Sequence, residues 1–315
     1  METARLWLLC PLYEDVDSFL VVKARLLKVL AGLSWDISRI RFVVVDDSAG
    51  FDPEVERLRH EPNTEVLCPP FNLGHQRAIV FGLRSVREQI ADPDIIVTLD
   101  SDGEDQPEDV PRLLAPIQAS PSDLKLVVLA RRTRRHESLQ FKVLYGLFKL
   151  MFIALTGTVV RTGNFAAYRG WTARRALFHP HFDLCYSSSL LGLNRPLLFV
   201  PCERGSRIAG QSHMNFLKLL MHGFRMLMPF IDRVAIRAMI VFSAVLAAGL
   251  AFAVAVIGLR LFTKIPIPGW TTYGLLMVLL LSFVAIGNFI ILFALFSQSQ
   301  GVGLAFLDRG GPVRD

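Results

Sequence analysis

The run Ile95-Ile96-Val97-Thr98-Leu99-Asp100-Ser101-Asp102-Gly103-Glu104-Asp105 anchors the interpretation of the whole chain. Five β-branched or apolar residues give way to four carboxylates within six positions. A short uncharged run of this kind reads as a strand buried on both faces. Open α/β sheets bind ligands at the carboxyl ends of such strands. Crowded carboxylates repel one another unless a cation is present. Asp100 and Asp102, one residue apart on a tight turn, suit a hard divalent ion, Mg²⁺ or Mn²⁺, shared with a diphosphate. The competing reading is a solvated acidic loop capping a helix at Pro107–Leu114.

The same pattern repeats on either side. Leu6–Pro11, Ile40–Val45, Glu65–Cys68 and Leu124–Ala130 read as further strands, and Ser18–Leu33 and Gln76–Ile90 have helical spacing. Strands alternating with helices predict a mostly parallel sheet covered on both faces, an α/β, Rossmann-like domain. Polar residues gather where the strands end: Asp46 and Asp47, Asp100 and Asp102, Arg131. A carboxylate at Asp46-Asp47-Ser48 suits a nucleobase ring or ribose hydroxyls; its alternative is an Asx turn. Asn72-Leu73-Gly74 before a helix predicts amides facing a diphosphate. Arg131 and Arg134 follow the fifth strand, with Ser138 close behind. Arg204 and Arg207 precede Gly210-Gln211-Ser212. Arginine forks match phosphate geometry, so both groups are candidate phosphate binders, with simple headgroup attraction or solubility as the alternative.

Beyond Arg237 the chain changes character. Hydrophobic residues make up 52% of the 315, and mean hydropathy is +0.42. Ala238–Leu259 and Tyr273–Phe296 carry no charge, and each meets the length of roughly 20 residues that a transmembrane helix needs. The link Arg260–Thr272 holds Pro266, Pro268 and Gly269, so the two predict a hairpin. Lys218, Arg225, Arg233 and Arg237 precede the first span, which puts the large domain in the cytosol by the positive-inside rule. Met1–Pro11 does not read as a signal peptide, because Glu2 stands where positive charge belongs. Phe141–Thr156 and Asn215–Phe230, apolar with interspersed basic residues, predict helices lying in the headgroup region, with ordinary core helices as the alternative. Net charge is +6, but its second basic cluster runs into a span, so lipid or a phosphate ligand fits better than nucleic acid. Cys10, Cys68, Cys185 and Cys202 form no CxxC pair and predict buried thiols.

In order and spacing these motifs resemble family 2 glycosyltransferases of the GT-A fold, closest to the dolichol-phosphate-mannose-synthase-like polyisoprenyl-phosphate glycosyltransferases. Pro11-Leu12-Tyr13-Glu14, Val44-Val45-Asp46-Asp47-Ser48, Asn72-Leu73-Gly74, Leu99-Asp100-Ser101-Asp102, Pro107-Glu108 and Arg204-x-x-Arg207-x-x-Gly210-Gln211-Ser212 carry the likeness, over about residues 6–237. The resemblance implies inverting, metal-dependent transfer of one sugar from a UDP- or GDP-linked donor to a polyprenyl phosphate, in the making of cell-envelope glycans. Pro11, Tyr13, Glu14, Asp46, Asp47, Asn72, Gly74, Asp100 and Ser101 would hold the nucleotide sugar. Asp100, Asp102 and Glu104 would hold the metal. Arg131, Arg134, Ser138, Arg204, Arg207 and Ser212 would hold the acceptor phosphate. Asp102 and Asp105 are the candidate catalytic groups, with Asp183 a weaker one. Two departures stand out: Gly163-Asn164-Phe165-Ala166 where the family has G-D-F-R, and His213-Met214-Asn215 after the serine.

The expected organisation is a GT-A catalytic domain over 1–201, an Arg-rich juxtamembrane segment over 202–237, two spans over 238–296 and a cytosolic tail over 297–315. An integral protein of the bacterial inner membrane, forming homo-oligomers, is implied. The rival readings are transfer to another membrane acceptor such as a lipid-linked glycan, and a non-catalytic membrane scaffold. A processive polysaccharide synthase would want more spans and a Q-x-x-R-W motif, and neither is seen.

Overall fold

The computed structural model describes residues 4–33, 35–132, 139–159, 162–179, 181–209, 216–263 and 269–300. The strands are β1 (Leu6–Leu12), β2 (Ile40–Asp46), β3 (Thr64–Leu67), β4 (Ile95–Thr98), β5 (Val127–Arg132), β6 (Thr162–Arg169) and β7 (Leu197–Cys202). The helices are α1 (Val16–Gly32), α2 (Glu56–Arg59), α3 (His75–Ser85), α4 (Val110–Ala119), α5 (Leu139–Thr156), α6 (Gly170–Ala176), α7 (Tyr186–Gly192), α8 (Phe216–Leu227), α9 (Ile231–Phe262) and α10 (Trp270–Gln300). One mixed sheet runs β3-β2-β1-β4-β6-β5-β7. Only β6 opposes its neighbours, β4 and β5; the other pairings are parallel. This is the expected mostly parallel α/β architecture.

Alternation along the strands explains why both faces are covered. In β1, Leu6, Leu8, Cys10 and Leu12 enter one core, together with Phe19, Val22 and Leu26 of α1 and Leu113, Leu114 and Ile117 of α4. Trp7 and Leu9 enter the other, with Ile79 and Leu83 of α3 and Tyr186 of α7. Side chains of period two therefore feed two apolar layers. Each fully buried aliphatic residue adds roughly 1.5–3 kcal/mol. Trp7 keeps its polar handle satisfied: Nε1 donates to Asp94, 2.9 Å away.

The sequence expectations differ from the structure mainly at boundaries and in the second half of the sheet. β5 starts at Val127, not Leu124, because Asp123 first accepts the Lys125 N–H in a turn, 3.0 Å. α3 ends at Ser85, whose hydroxyl bonds back to the Phe81 carbonyl at 2.9 Å, a contact that competes with helix continuation. β6 and β7 have no counterpart among the expected strands. β6 is Gly-, Asn- and Ala-bearing, so local propensity argues against a strand there. β7 contains Pro201, which fits only because β7 is an edge strand. Cys10, Cys185 and Cys202 are buried thiols as expected, but Cys68 is exposed.

The chain packs as two compact units, residues 1–148 with 159–229, and residues 149–158 with 230–315. In the second, α9 and α10 pack along Val256, Val278 and Ala285, all buried. Two helical stretches, Met221–Phe262 and Trp270–Leu295, are long and apolar enough to cross a membrane, and only 6% and 11% of their most apolar windows is buried. A core helix of a soluble protein would be covered, whereas Leu261 and Phe283 are 71% and 78% exposed. The chain is a membrane protein on these grounds. Arg237 Nη1 donates to the carbonyl of Ala154, 2.5 Å, and Arg233 Nη1 to Thr158 Oγ1, 3.1 Å. Arg237 so completes the C-terminal end of α5, where carbonyls lack helical partners, and Arg233 holds the residue two positions beyond it.

Candidate active site

The acidic motif sits where the sequence places it, just past the carboxyl end of β4. Gly103, at φ +81°, lets the loop turn tightly. Asp105 is buried, and its Oδ2 accepts the Asp100 N–H at 3.1 Å. That bond closes the loop, so the Asp105 side chain shapes the turn. Asp102 Oδ1 accepts the Glu104 N–H at 2.9 Å. Burial, with Asp100 nearby, pushes the Asp102 carboxyl up to about 6. Ser101 is buried beside it.

The Arg204–Ile208 segment lies directly on this loop. Gly205 N donates to Glu104 O at 2.8 Å and Ile208 N to Asp102 O at 3.0 Å, and Asp105 bridges Arg204 in antiparallel fashion. Gly205 has to be small: a Cβ there would lie 2.8 Å from Gly103 O. Arg207 Nη2 pairs with Asp102 Oδ2 at 2.9 Å, and its Nε lies 3.5 Å from Glu104 Oε1. Arg204 pairs with Glu104. Two candidate phosphate binders are thus held on two candidate metal ligands, a juxtaposition that sequence spacing of about a hundred residues does not reveal.

Gly103→Ala is expected to lower together the melting temperature and the sugar-transfer rate that the family resemblance implies. The positive φ costs an L-residue about 1 kcal/mol, and the new methyl would meet Ile208 Cδ1 at 2.7 Å. Thermal unfolding and initial rates on the purified variant check this; wild-type behaviour in both would mean the loop has another route through the turn.

The other expected residues divide. Asp46 accepts from Ser48 N at 3.0 Å and Gly50 N at 3.2 Å, an Asx-type turn. Asp47 accepts from Leu73 N at 2.6 Å and Gly74 N at 2.9 Å, and Asn72 Nδ2 donates to the Asp47 carbonyl at 2.8 Å. The amides expected to face a diphosphate are therefore already accepted by Asp47, whose carboxyl is raised by burial against these same bonds. Each carboxylate oxygen retains a second lone pair for a ligand. Pro11 is buried at the end of β1, Tyr13 is 45% exposed, and Glu14 stands exposed at φ +50°. Arg131 is exposed at the end of β5, opposite Pro201 of β7. Asp183 is exposed and takes both nitrogens of the Arg84 fork, at 3.0 Å each. Arg134, Ser138 and Ser212 lie outside the described residues.

Four residues next to the motif are not singled out as site residues by the sequence. Asn164 of β6 donates from Nδ2 to Asp100 Oδ1 at 3.1 Å. Gln76 at the start of α3 donates to Asn164 Oδ1. Thr98 Oγ1 donates to the Asn164 carbonyl at 2.5 Å and lies 2.8 Å from Tyr186 Oη. All four are buried. The one sequence signal is the amide in Gly163-Asn164-Phe165.

Asp100 and Asp102 are the two candidate metal ligands. Among the described residues no group of three His, Cys, Asp or Glu is placed to hold an ion. Glu104, expected as a third ligand, faces the two arginines. Mg²⁺, however, is commonly held by one or two carboxylates together with substrate phosphates, and Asp100 and Asp102 meet that requirement.

An α/β sheet with an acidic loop at its strand ends and two long apolar helices suits a membrane-bound transferase, and similarity to known proteins places the chain in the sugar-transfer class. The chain belongs to glycosyl transferase family 2, whose model matches residues 20–177. It is similar to the undecaprenyl-phosphate 4-deoxy-4-formamido-L-arabinose transferase of Edwardsiella ictaluri, 25% identical, covering 93% of this chain and 85% of that protein. It is also similar to the protein of that name from Pectobacterium carotovorum subsp. carotovorum, 27% identical over 93% of this chain and 84% of the other. Among solved structures, S. aureus TarS 1-349 aligns over 73% of this chain and 71% of that one, with 16% identity and a TM-score of 0.39.

Proposed function

We propose that this glycosyltransferase moves one sugar from a UDP- or GDP-linked donor to a polyprenyl phosphate, with Mg²⁺ or Mn²⁺, at the membrane surface. What supports this reading is the backbone docking of Arg204–Ile208 onto the Asp100–Asp105 loop, with Arg207, a candidate phosphate binder, paired to Asp102, a candidate metal ligand. Relatives whose names specify undecaprenyl phosphate align over 93% of the chain, which supports the same acceptor class.

The chemistry asks little of a strong base. A lipid phosphate is already an anionic nucleophile, so catalysis rests on positioning and on charge stabilisation. Asp100 and Asp102 would hold a divalent ion, which would supply neutralisation of the leaving nucleoside diphosphate. Arg207 and Arg204 leave their carboxylates to take the phosphate oxygens of the acceptor. The phosphate oxygen bonds to the anomeric carbon from one side while the bond to the nucleoside diphosphate breaks on the other, inverting that centre. Asp105 keeps the loop closed. Asp46, Asp47, Asn72 and Gly74 frame the nucleotide through their spare lone pairs and backbone.

The positive-inside charge bias supports a cytosolic catalytic domain, anchored in a bacterial inner membrane. Homo-oligomers are part of the same proposal, measurable as the mass of the solubilised protein. The decisive experiment offers a panel of UDP- and GDP-sugars with undecaprenyl phosphate and divalent metal to the detergent-purified chain. Mass spectrometry follows the glycolipid. One donor giving product, with loss in Arg207→Ala, is expected. Donor binding without transfer would remove the polyprenyl phosphate from the proposal, and no donor binding would favour a scaffold.

The same site carries a pH dependence. Only ionised Asp102 would bind a cation, and burial, with Asp100 nearby, pushes its carboxyl up to about 6. Below that pH a metal has to displace a proton, so affinity falls, approaching tenfold per pH unit. Above it, affinity levels off. Mn²⁺ titrations between pH 5 and 8 check this. A flat profile across that range would mean that Asp102 is not a ligand.

A further inference from the structure

Asp100 stands at the end of a chain of buried amides whose polarity is fixed at its far end. The Ser187 N–H donates to Gln76 Oε1 at 2.9 Å, and the Cys185 thiol adds a weaker bond at 3.5 Å. A backbone N–H cannot reverse its role, whereas a side-chain amide takes whichever orientation its partners dictate. Ser187 therefore turns the Gln76 oxygen toward α7 and its NH₂ toward Asn164. Asn164 accepts with Oδ1, which leaves its own NH₂ aimed at Asp100 Oδ1. The bond from Thr98 Oγ1 to the Asn164 carbonyl pins the β6 backbone against β4. Gln76, Asn164 and Ser187 are 7%, 4% and 4% exposed. At that depth a mispaired amide is costly, so the chain has one low-energy orientation.

We propose that Gln76 and Asn164 are positioning residues that carry the fixed polarity of the Ser187 N–H to Asp100, presenting a donor to Oδ1 and leaving Oδ2 for a cation. This rests on the reading of Asp100 as a metal ligand. Its physical basis is that ligating carboxylates hold their geometry through hydrogen bonds from outside the ligand set. It also gives a use to the amide at 164: a carboxylate there would face Asp100 with an acceptor.

Gln76→Glu separates this role from packing, since it is isosteric and Gln76 has no hydrogen bond to Asp100. The Ser187 N–H still donates to one oxygen of the introduced carboxylate. The other oxygen then meets Asn164, which has to flip its amide to donate, turning its own oxygen onto Asp100. Mn²⁺ binding to the detergent-purified full chain, followed by electron paramagnetic resonance with UDP or GDP present in separate runs, reads the result. The expected change is a loss of affinity of about tenfold in a protein that still folds but melts at a lower temperature, because the introduced carboxylate is buried. Asn164→Ala, which deletes the donor, is expected to lose a similar factor, and it carries the test if Gln76→Glu fails to fold. Wild-type affinity in both folded variants, with affinity lost in Asp100→Asn, overturns the positioning role alone. No Mn²⁺ binding by the wild type, or full affinity in Asp100→Asn, removes Asp100 as a ligand and the proposal with it.

Discussion

Asp102→Asn is expected to reduce sugar transfer at least about a hundredfold, with divalent-metal binding lost and the fold retained. A hundredfold corresponds to about 2.7 kcal/mol of transition-state stabilisation, within the several kcal/mol that a metal ion contributes to a departing phosphate. The substitution keeps the shape of the side chain, so Oδ1 still accepts the Glu104 N–H that holds the loop. What it removes is the charge that pairs with Arg207 and that, in the proposed mechanism, would meet the cation. The fold should survive, because the carboxylate is disfavoured by its own burial: its pKa is raised, so the neutral form is the one the site tolerates more easily. Metal affinity, transfer rate and thermal unfolding are measured together. Near-normal transfer by Asp102→Asn would mean that the acidic loop is the solvated turn of the alternative reading.

A second substitution should move its two readouts in opposite directions. Arg207→Ala should cut transfer to polyprenyl phosphate about a hundredfold, yet tighten Mn²⁺ binding several-fold. Arg207 occupies Asp102 and leans on Glu104, so a cation arriving at Asp102 has to replace it. Removing the guanidinium leaves partly buried carboxylates uncompensated, and a metal then relieves that repulsion. The acceptor phosphate loses its fork at the same time, and lysine should restore little, because it lacks the bidentate geometry. Metal affinity falling in step with transfer would contradict exchange and make Arg207 a support for the loop.

Much of this is legible along the chain. Buried apolar runs specify β1, β2 and β4, rich in β-branched residues in the last two, because a strand covered on both faces has no polar side to show. Two uncharged stretches of about twenty residues specify the spans, since lipid admits little else. The carboxylates at 100 and 102 announce themselves by sitting where a strand stops. β6 does not announce itself. Its Gly163, Asn164 and paired alanines carry weak strand propensity, and the strand exists because β4 and β5 offer it hydrogen bonds on both sides.

Local pattern along the chain is enough for the class of fold, the membrane-spanning helices and the acidic strand end, because each is written in a period or in a run of one chemistry. Which side chain meets which is a matter of three-dimensional packing. Packing set Arg207 on Asp102, turned Asp105 inward to close the loop, committed the 73 and 74 amides to Asp47, and ran a line of amides from Ser187 to Asp100. Those pairings join residues up to about a hundred positions apart. Hydrogen-bond direction and charge compensation depend on distance in space, which no local pattern along the chain encodes.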